Sequence, residues 1–324
     1  MAEQKEWAFP AEMRPRPEDW RFELDGALDA VVQLRAEIPD DAFTASILGT
    51  ERAGNGVVIA ENGLVLTIGY LITEASVIWL TTNKGTVVGG TVLAYDQGSG
   101  FGLVQPLGRL GVKPLERGSI NSIRVGENVV VAGHGGRAHA LKATVFAKRE
   151  FAGYWEYVLD EALFTAPAHP QWGGAALIGA DGRLAALGSL LVQEKIDAGT
   201  IQGNMLVPID LLEPILEPML KTGRTNRPAR PWLGMYTTEA GERLVIAGLA
   251  SGGPAERAGA RVGDAVLEIA GAKPRSLADL WRKVWAVGPS GAVVQLKVAR
   301  SGKITEVRIA SADRNDFLKK PHLH

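Results

Sequence analysis

The chain has 324 residues, of which 46% are hydrophobic and 22% charged, with a formal net charge of -1 and no cysteine. This length predicts two domains, or three small ones, each able to bury a core without disulfides. The near-neutral charge gives no electrostatic argument for nucleic acid or an anionic membrane as the main partner. The lack of cysteine excludes disulfides, thiolate metal sites and a cysteine nucleophile.

Residues 1–25 are rich in Pro, Glu and Arg and carry scattered aromatic side chains, which predicts an extended N-terminal arm rather than a packed element. No apolar run of signal-peptide length opens the chain, and no stretch approaches the length of a membrane span. The sequence as written is therefore expected in the cytoplasm, and in the periplasm only if a signal has been removed.

Short strand-like runs separated by glycine turns fill residues 26–222. The runs 53–60 and 64–67 flank Asn62-Gly63, a dipeptide that strongly favours a hairpin. Many short strands of this kind indicate barrels or sandwiches. The other expected strands are 30–38, 77–81, 85–94, 102–105, 127–132, 157–164, 184–188 and 203–207.

A polar, basic, proline-bearing linker is expected at 223–230, a second domain at 231–311 and a polar tail at 312–324. Pro254 is expected to begin a short helix and Gly259 to end it, following the preferences of helix ends. A longer helix is expected after Ser276, with apolar side chains at helical spacing. These side chains are Leu277, Leu280, Trp281, Val284 and Trp285.

The strongest chemical signal is the loop at 166–178, which includes His169-Pro170-Gln171-Trp172-Gly173-Gly174 and is followed by an Asp-Gly turn. It resembles the nucleophile loop of HtrA-type, trypsin-like serine proteases. Trp172 stands at the position of the catalytic serine, and indole offers no nucleophilic oxygen. Pro170 stands at the glycine whose N–H forms half of the family's oxyanion hole, and proline has no N–H. Trp172 is expected to plug the former cleft, and the alternative is an aromatic surface for a bound peptide.

The resemblance runs from about residue 27 to about residue 310. Segments 54–59 and 61–67 resemble those that precede the family's catalytic histidine, whose position is taken by Tyr70. Segment 94–104 resembles the one that carries the orienting aspartate, whose position is taken by Gly100. A phenol is a poor general base at neutral pH, so the base and its partner are both replaced.

The resemblance implies a mainly β fold, in which a chymotrypsin-like double β-barrel at 26–222 is followed by a PDZ domain at 231–311. The family also implies a homo-oligomer, a trimer, in which aromatic residues of the N-terminal arm pack between subunits. The alternative is an arm wrapped on its own domain. The aromatic residues in question are Trp7, Phe9, Trp20 and Phe22.

A PDZ domain binds an extended carboxyl-terminal peptide as an added strand. By resemblance, the N–H groups of the loop after Trp232 would hold the terminal carboxylate, and the helix after Ser276 would form the opposite wall. The alternative places the helix residues in the domain's own core. The predicted peptide-binding residues are Trp232, Leu233, Gly234, Met235, Leu277, Leu280, Trp281 and Val284.

The histidines offer no clear replacement for the missing base. His134 and His139 lie on a glycine-rich loop, where solvent exposure is expected in preference to a metal or ligand role. His169 is expected to make a polar contact beside the altered nucleophile loop, and His322 and His324 lie in the tail. No metal-ligand spacing or phosphate-binding glycine motif occurs, so no metal and no cofactor is expected.

With four catalytic positions replaced, the sequence predicts that the chain is not an enzyme. The predicted function is an inactive HtrA homologue that binds peptides or protein C-termini as an adaptor, a chaperone-like binder or a regulator. The alternative is a serine-type endopeptidase with a displaced, unrecognised active site. A third possibility is a structural oligomer whose PDZ groove is closed. The expected partners are peptides or protein C-termini, with no nucleic acid and no membrane span.

Overall fold

The computed structural model describes residues 7–196 and 199–319, so His322, His324, the first six residues and the end of the predicted tail lie outside the described part. The described chain divides into two compact units. The first contains the described residues of 1–149, 161–225 and 319, and the second contains 150–160 and 226–318. Residues 150–160 therefore belong with the second unit, although they lie within the range predicted for the first domain.

The first half of the first unit is a closed six-stranded barrel with strand order β1-β2-β3-β6-β5-β4. Buried and exposed side chains alternate along the second half of β1, because successive side chains point to opposite faces of a strand. The short helices α1 (Leu24–Asp29) and α2 (Ala45–Leu48) flank β1. The strands are β1 (Val31–Glu37), β2 (Glu51–Val58), β3 (Val65–Ile68), β4 (Val77–Thr81), β5 (Val87–Tyr95) and β6 (Phe101–Pro106).

The second half of this unit is another closed six-stranded barrel, with strand order β10-β11-β12-β9-β8-β7. Closure removes the exposed strand edges that would otherwise pair with other chains. The helix α3 (Glu213–Thr222) follows the last strand. The strands are β7 (Asn128–Ala132), β8 (Ala140–Gly153), β9 (Tyr157–Ala166), β10 (Ala176–Ile178), β11 (Leu184–Ile196) and β12 (Gly199–Pro208).

The second unit is built on a five-stranded antiparallel sheet in the order β13-β14-β15-β16-β17. Its strands are β13 (Met235–Ala240), β14 (Arg243–Leu249), β15 (Ala265–Ile269), β16 (Val293–Arg300) and β17 (Lys303–Ala310), with α4 (Pro254–Arg257) and α5 (Leu277–Ala286) between them. The Ser276 side chain accepts the N–H of Asp279 at 3.1 Å and so caps α5 as expected. Each large apolar side chain that α5 buries stabilises the fold by roughly 1.5–3 kcal/mol.

The predicted mainly β architecture of two barrels followed by a smaller sheet unit is confirmed. One long strand, β8, was not predicted, although its apolar and polar residues alternate from Leu141 to Val145. No helix among the described residues is long and apolar enough to cross a membrane.

Candidate functional site

A cavity of about 300 Å³ in the first unit contains most of the positions that the resemblance singles out. Tyr70 lies in the 3-10 turn after β3, and Pro170 and Trp172 lie in the loop before β10. Gly100 lies behind this group, where its carbonyl accepts the N–H of Gly69 at 2.7 Å. The catalytic and oxyanion assignments of these positions stay predictions. The lining consists of Gln33, Ala53, Gly54, Asn55, Tyr70, Leu71, His134, Pro170, Gln171, Trp172 and Gly173.

Tyr70 is held as a neutral phenol inside this cavity. Its hydroxyl donates to the carbonyl of Ser189 at 2.9 Å. Burial raises the pKa of the Tyr70 phenol above its usual range, against an opposing hydrogen bond from the Trp172 side chain. A phenol that stays protonated cannot take a proton from a nucleophile near neutral pH.

Trp172 narrows the cleft that the resemblance assigns to the nucleophile. Its side chain is half-buried, and the residue lines the cavity. A Cβ added at Gly188 would lie 2.2 Å from the Trp172 carbonyl oxygen, so the loop packs directly on β11. The indole therefore occupies volume in the cleft and also presents part of its surface to the cavity.

Asn55 fixes the altered loop to the first barrel, and sequence reasoning gave it no role. Its side-chain amide donates to the carbonyls of Gln171 at 2.8 Å and Gly173 at 3.2 Å. Its side-chain oxygen accepts the backbone N–H of His134 at 2.8 Å. Since Asn55 is fully buried, these bonds satisfy polar groups that would otherwise be costly to bury. A polar residue between two glycines of a buried strand was the only sequence signal.

His169 is a structural residue with both ring nitrogens in use. Nδ1 accepts the N–H of Gln171 at 3.1 Å, so Nε2 carries the proton and donates to the carbonyl of His139 at 2.9 Å. Burial lowers the pKa of His169 to about 4, although the hydrogen bond to the His139 carbonyl opposes this shift. The predicted polar contact is present, and the neutral ring has no lone pair left for catalysis.

The N-terminal arm packs onto these histidines within the same chain. The Phe9 ring lies 5.1 Å from the His169 ring, and the Trp7 ring lies 4.5 Å from the His139 ring. Phe9 also donates its N–H to the carbonyl of Ala138 at 2.9 Å and is buried. The expectation of an unpacked arm is wrong here, because aromatic rings that cover a buried imidazole remove apolar surface from water. This geometry favours the arm wrapped on its own domain.

His134 differs from the expectation of a solvated loop residue. Its Nε2 atom is buried and finds no hydrogen-bond partner within residues 7–196 and 199–319. The imidazole lines the same cavity as Tyr70 and Trp172. An unpaired imidazole nitrogen beside a cavity is a ready acceptor for a ligand proton. In the described part of the chain, no group of three or more His, Asp or Glu side chains is placed to hold a metal ion.

In the second unit, the predicted carboxylate loop does hold a carboxylate, and it is that of Glu156. The Gly234 N–H donates to Oε1 of Glu156 at 2.7 Å and the Met235 N–H to the same atom at 3.1 Å. The Leu233 N–H lies 3.0 Å from Oε2 and 3.1 Å from Oε1. Three converging N–H groups form a site for one anion.

Gly234 is required at the centre of this loop for two reasons. Its φ of +72° lies in the left-handed region that side chains disfavour. A Cβ at this position would also lie 3.1 Å from the Ala250 Cβ and 3.2 Å from the Trp232 ring. Trp232 itself packs on Phe317, with ring centroids 4.8 Å apart. The loop geometry thus depends on glycine at 234.

The four predicted groove residues of α5 are all buried in the core of the second unit. The side chains of Leu280, Trp281 and Val284 are fully buried, and Leu277 is nearly so. Val158 of residues 150–160 belongs to the same apolar cluster. The Trp281 indole donates to the carbonyl of Gly153 at 2.9 Å. The wall of the predicted groove is therefore covered by residues 150–160, and a role in binding an external peptide stays a prediction.

The sequence matches two family models. Residues 54–187 match the model described as a trypsin-like peptidase domain. Residues 231–310 match the model described as a PDZ domain. The first match includes the cavity loops and the second includes the carboxylate loop.

Several named relatives are similar along most of the chain. Serine protease Do-like HtrA of Bacillus subtilis is 23% identical over 91% of this chain and 72% of its own length. Serine protease PepD of Mycobacterium tuberculosis is 26% identical over 74% of this chain and 57% of its own length. Serine endoprotease DegS of Haemophilus influenzae is 21% identical over 81% of this chain and 77% of its own length. The chain thus spans between about half and three quarters of these relatives.

Solved structures show the same fold. The HtrA-type protease AlgW with a tripeptide superposes with a TM-score of 0.52 and 18% identity, over 93% of this chain and 99% of that chain. The serine endoprotease from Yersinia pestis superposes with a TM-score of 0.51 and 18% identity, over 90% of this chain and 98% of that chain.

The prediction that the chain is not an enzyme is wrong, because the relatives at this similarity are named serine proteases and endoproteases. That prediction rested only on Tyr70, Gly100, Trp172 and Pro170 at the family's usual catalytic positions. Loss of triad members leaves catalysis by substrate binding and by the remaining oxyanion donors, so residues at those positions do not by themselves exclude turnover. The two domain matches, the named relatives and the shared fold together identify the chain as an HtrA/Deg homologue, with a trypsin-like peptidase domain followed by a PDZ domain.

Proposed function

We propose that the protein is an HtrA/Deg-type serine endopeptidase that recognises its polypeptides by their carboxyl termini through the PDZ domain. The observation that carries the recognition step is the convergence of the Leu233, Gly234 and Met235 N–H groups on one carboxylate. A terminal α-carboxylate offers the same two oxygen acceptors as the glutamate side chain that lies there.

The edge of the PDZ sheet supplies the rest of a peptide site. Strand β13 pairs with β14 on one side, and on its other edge the Thr237 N–H donates to the carbonyl of Tyr154 at 2.9 Å, a contact that an added strand would replace. Backbone hydrogen bonds along such an edge give affinity that tolerates many sequences, and the pocket at the carboxylate end reads the last side chain. A protein that accepts C-termini in this way selects chains by exposure of an end rather than by an internal sequence.

The hydrolytic step is supported by the names of the relatives and by the cavity in the peptidase domain. Because Tyr70 stays protonated and His169 has both nitrogens occupied, neither supplies the base. His134 lines this cavity, and its buried Nε2 atom has no hydrogen-bond partner among the described residues. No serine or threonine is among the residues that line the cavity, so the attacking hydroxyl comes from a residue outside this lining, and we assign to His134 the task of accepting its proton in a displaced active site.

The test is hydrolysis of unfolded casein by the full chain, followed through every purification step. The proposal predicts turnover that coelutes with the protein and is abolished by a serine-reactive phosphonate, whose adduct identifies the nucleophile by mass spectrometry. Turnover that separates from the protein, or persists in full after phosphonate treatment, would contradict the endopeptidase assignment. In that case, only measurements of peptide binding would decide whether the PDZ domain recognises C-termini.

A further inference from the structure

The hairpin tip at 150–160 occupies the place where a PDZ peptide would bind. It joins the ends of β8 and β9 and forms one compact unit with the PDZ domain. The Thr237 N–H of β13 donates to the carbonyl of Tyr154 at 2.9 Å. On the other side, Trp281 of α5 donates to the carbonyl of Gly153. The tip therefore contacts both walls between which an added strand would lie.

Charge pairs on α5 hold both sides of this hairpin tip. Arg282 lies 2.5 Å from a carboxylate oxygen of Glu150 and 2.5 Å from one of Asp160. These pairs are largely exposed, so they orient the tip more than they stabilise it. The apolar contact of Val158 with the PDZ core and the Glu156 carboxylate in the N–H loop are buried. Buried contacts of Glu156 and Val158 therefore hold the tip in place, and exposed ion pairs of Arg282 orient it.

The backbone of Glu156 is itself constrained. Its φ of +62° lies in the left-handed region, which is unusual for a residue with a long side chain. Such a conformation persists only where surrounding contacts over-determine it. The hydrogen bonds that its carboxylate accepts from the N–H groups of the loop Leu233–Met235 hold this conformation in place.

We infer that Glu156 is an internal ligand of the PDZ carboxylate site, and that a protein C-terminus binds only by displacing the hairpin tip. This inference rests on the proposed recognition of C-termini and names how that site is regulated. One loop cannot hold two carboxylates, because a second anion there would lack donors and meet like charge. An external peptide binds only to molecules in which the site is free. Its apparent Kd is therefore the intrinsic Kd divided by the fraction of such molecules.

The experiment compares the full chain with Glu156→Ala, Glu156→Gln and the control Glu242→Ala. Glu242 is an exposed glutamate on the β13–β14 turn of the same unit. The probe is a fluorescein-labelled decapeptide pool that ends in Val, Leu, Ile or Phe with a free carboxylate, read by fluorescence polarisation. We expect Kd to fall at least tenfold in Glu156→Ala, less in Glu156→Gln, and to be unchanged in Glu242→Ala. Equal Kd values in the unaltered chain and Glu156→Ala would overturn the inference.

Amide hydrogen exchange at residues 233–235 supplies a readout that needs no peptide. Exchange should accelerate at least tenfold in Glu156→Ala and stay unchanged in Glu242→Ala, because only the first loses the acceptor. Unchanged exchange in both variants would overturn the internal ligand whatever the peptides do. Accelerated exchange without peptide binding in Glu156→Ala would instead defeat the proposed recognition of C-termini, and displacement with it.

Discussion

The carboxylate of Glu156 accepts a 2.7 Å hydrogen bond from the backbone N–H of Gly234, a residue 78 positions later in the chain. This bond joins the hairpin between β8 and β9 to the loop that precedes β13. It puts a side chain of the hairpin into the loop to which we assign the recognition of chain termini.

Peptide binding should strengthen as pH rises. Burial raises the pKa of docked Glu156 to about 7 from an ordinary value of 4.5, although hydrogen bonds from Leu233, Met235 and Gly234 and the charge of Arg314 oppose it. Docking therefore takes up a proton between pH 4.5 and 7 and weakens as pH rises through this window. Docking should be about tenfold weaker at pH 8 than at pH 6.

The measurement is Kd for the peptide pool at pH 6, 7 and 8 in the unaltered chain and in Glu156→Gln. Subtracting the second profile removes the titration of the peptide's own carboxylate. Tyr236 also lies near Glu156, and burial raises the pKa of its phenol above the ordinary value of 10, far outside this range. The same change of Kd with pH in both proteins would contradict the prediction.

Replacing Gly234 should damage the carboxylate site beyond its effect on backbone strain. Gly234→Ala places a Cβ against Ala250 and Trp232, whereas Gly241, with a φ of +63°, has nothing within 4 Å of its added Cβ. Gly241→Ala should cost about 1 kcal/mol of unfolding free energy from the left-handed backbone alone. Gly234→Ala should cost more and also weaken peptide binding, as urea unfolding and fluorescence polarisation can measure. Identical behaviour of the two variants would argue against the geometric role of Gly234.

Stability of the peptidase domain should fall in mild acid because of His169. Burial lowers its pKa to about 4 from an ordinary value of 6.5, so the unfolded chain binds the extra proton first. The neutral ring contributes stability that is present above pH 6.5 and is lost as pH falls toward 4. The full effect is about 3 kcal/mol.

Urea unfolding at pH 7 and pH 5 measures this loss, with His169→Gln as the comparison. The variant should be less stable than the unaltered chain at pH 7 and should lose less stability between the two values. Carboxylates with lowered pKa, such as Asp264, stay ionised across this range and do not contribute. An equal loss in both proteins would assign the acid sensitivity to other groups.

Hydrolysis should depend on His134. His134→Ala should reduce kcat by roughly 10²–10⁴-fold, the usual contribution of general acid–base catalysis, without lowering stability much. Arg137→Ala is the control on the same loop, because Arg137 is exposed and pairs with Asp25 outside the cavity. Casein turnover by both variants decides the matter, and a loss of activity shared equally by the two would remove His134 from the site.

Much of the architecture follows from local sequence patterns. The Asn62-Gly63 hairpin, the Ser276 cap and the apolar stripe of α5 each lie where propensity and periodicity placed them, because nearby residues decide these features. Tyr70 and Trp172 line one cavity, and the resemblance to a known family, rather than any local pattern, connected the two positions; their assignment to catalytic positions stays a prediction.

The interactions that define both sites could not be read from the sequence. Asn55 contacts Gln171, 116 positions away, and Glu156 contacts Leu233, 77 positions away. No local pattern encodes such pairings, since they depend on how separate elements pack. The same holds for His134, because a glycine-rich loop predicts solvent exposure and only the packing of the folded chain buries its Nε2 atom.

The most direct test of carboxyl-terminal recognition uses the Glu156→Ala chain, in which the loop is free of its internal ligand. The decapeptide pool with a free carboxylate is titrated beside the same pool with an amidated end. The account predicts that amidation weakens binding at least tenfold, because the three N–H groups at 233–235 donate to two carboxyl oxygens, whereas an amide keeps one acceptor oxygen and turns a second donor toward them. Equal affinity for the acid and the amide would contradict it.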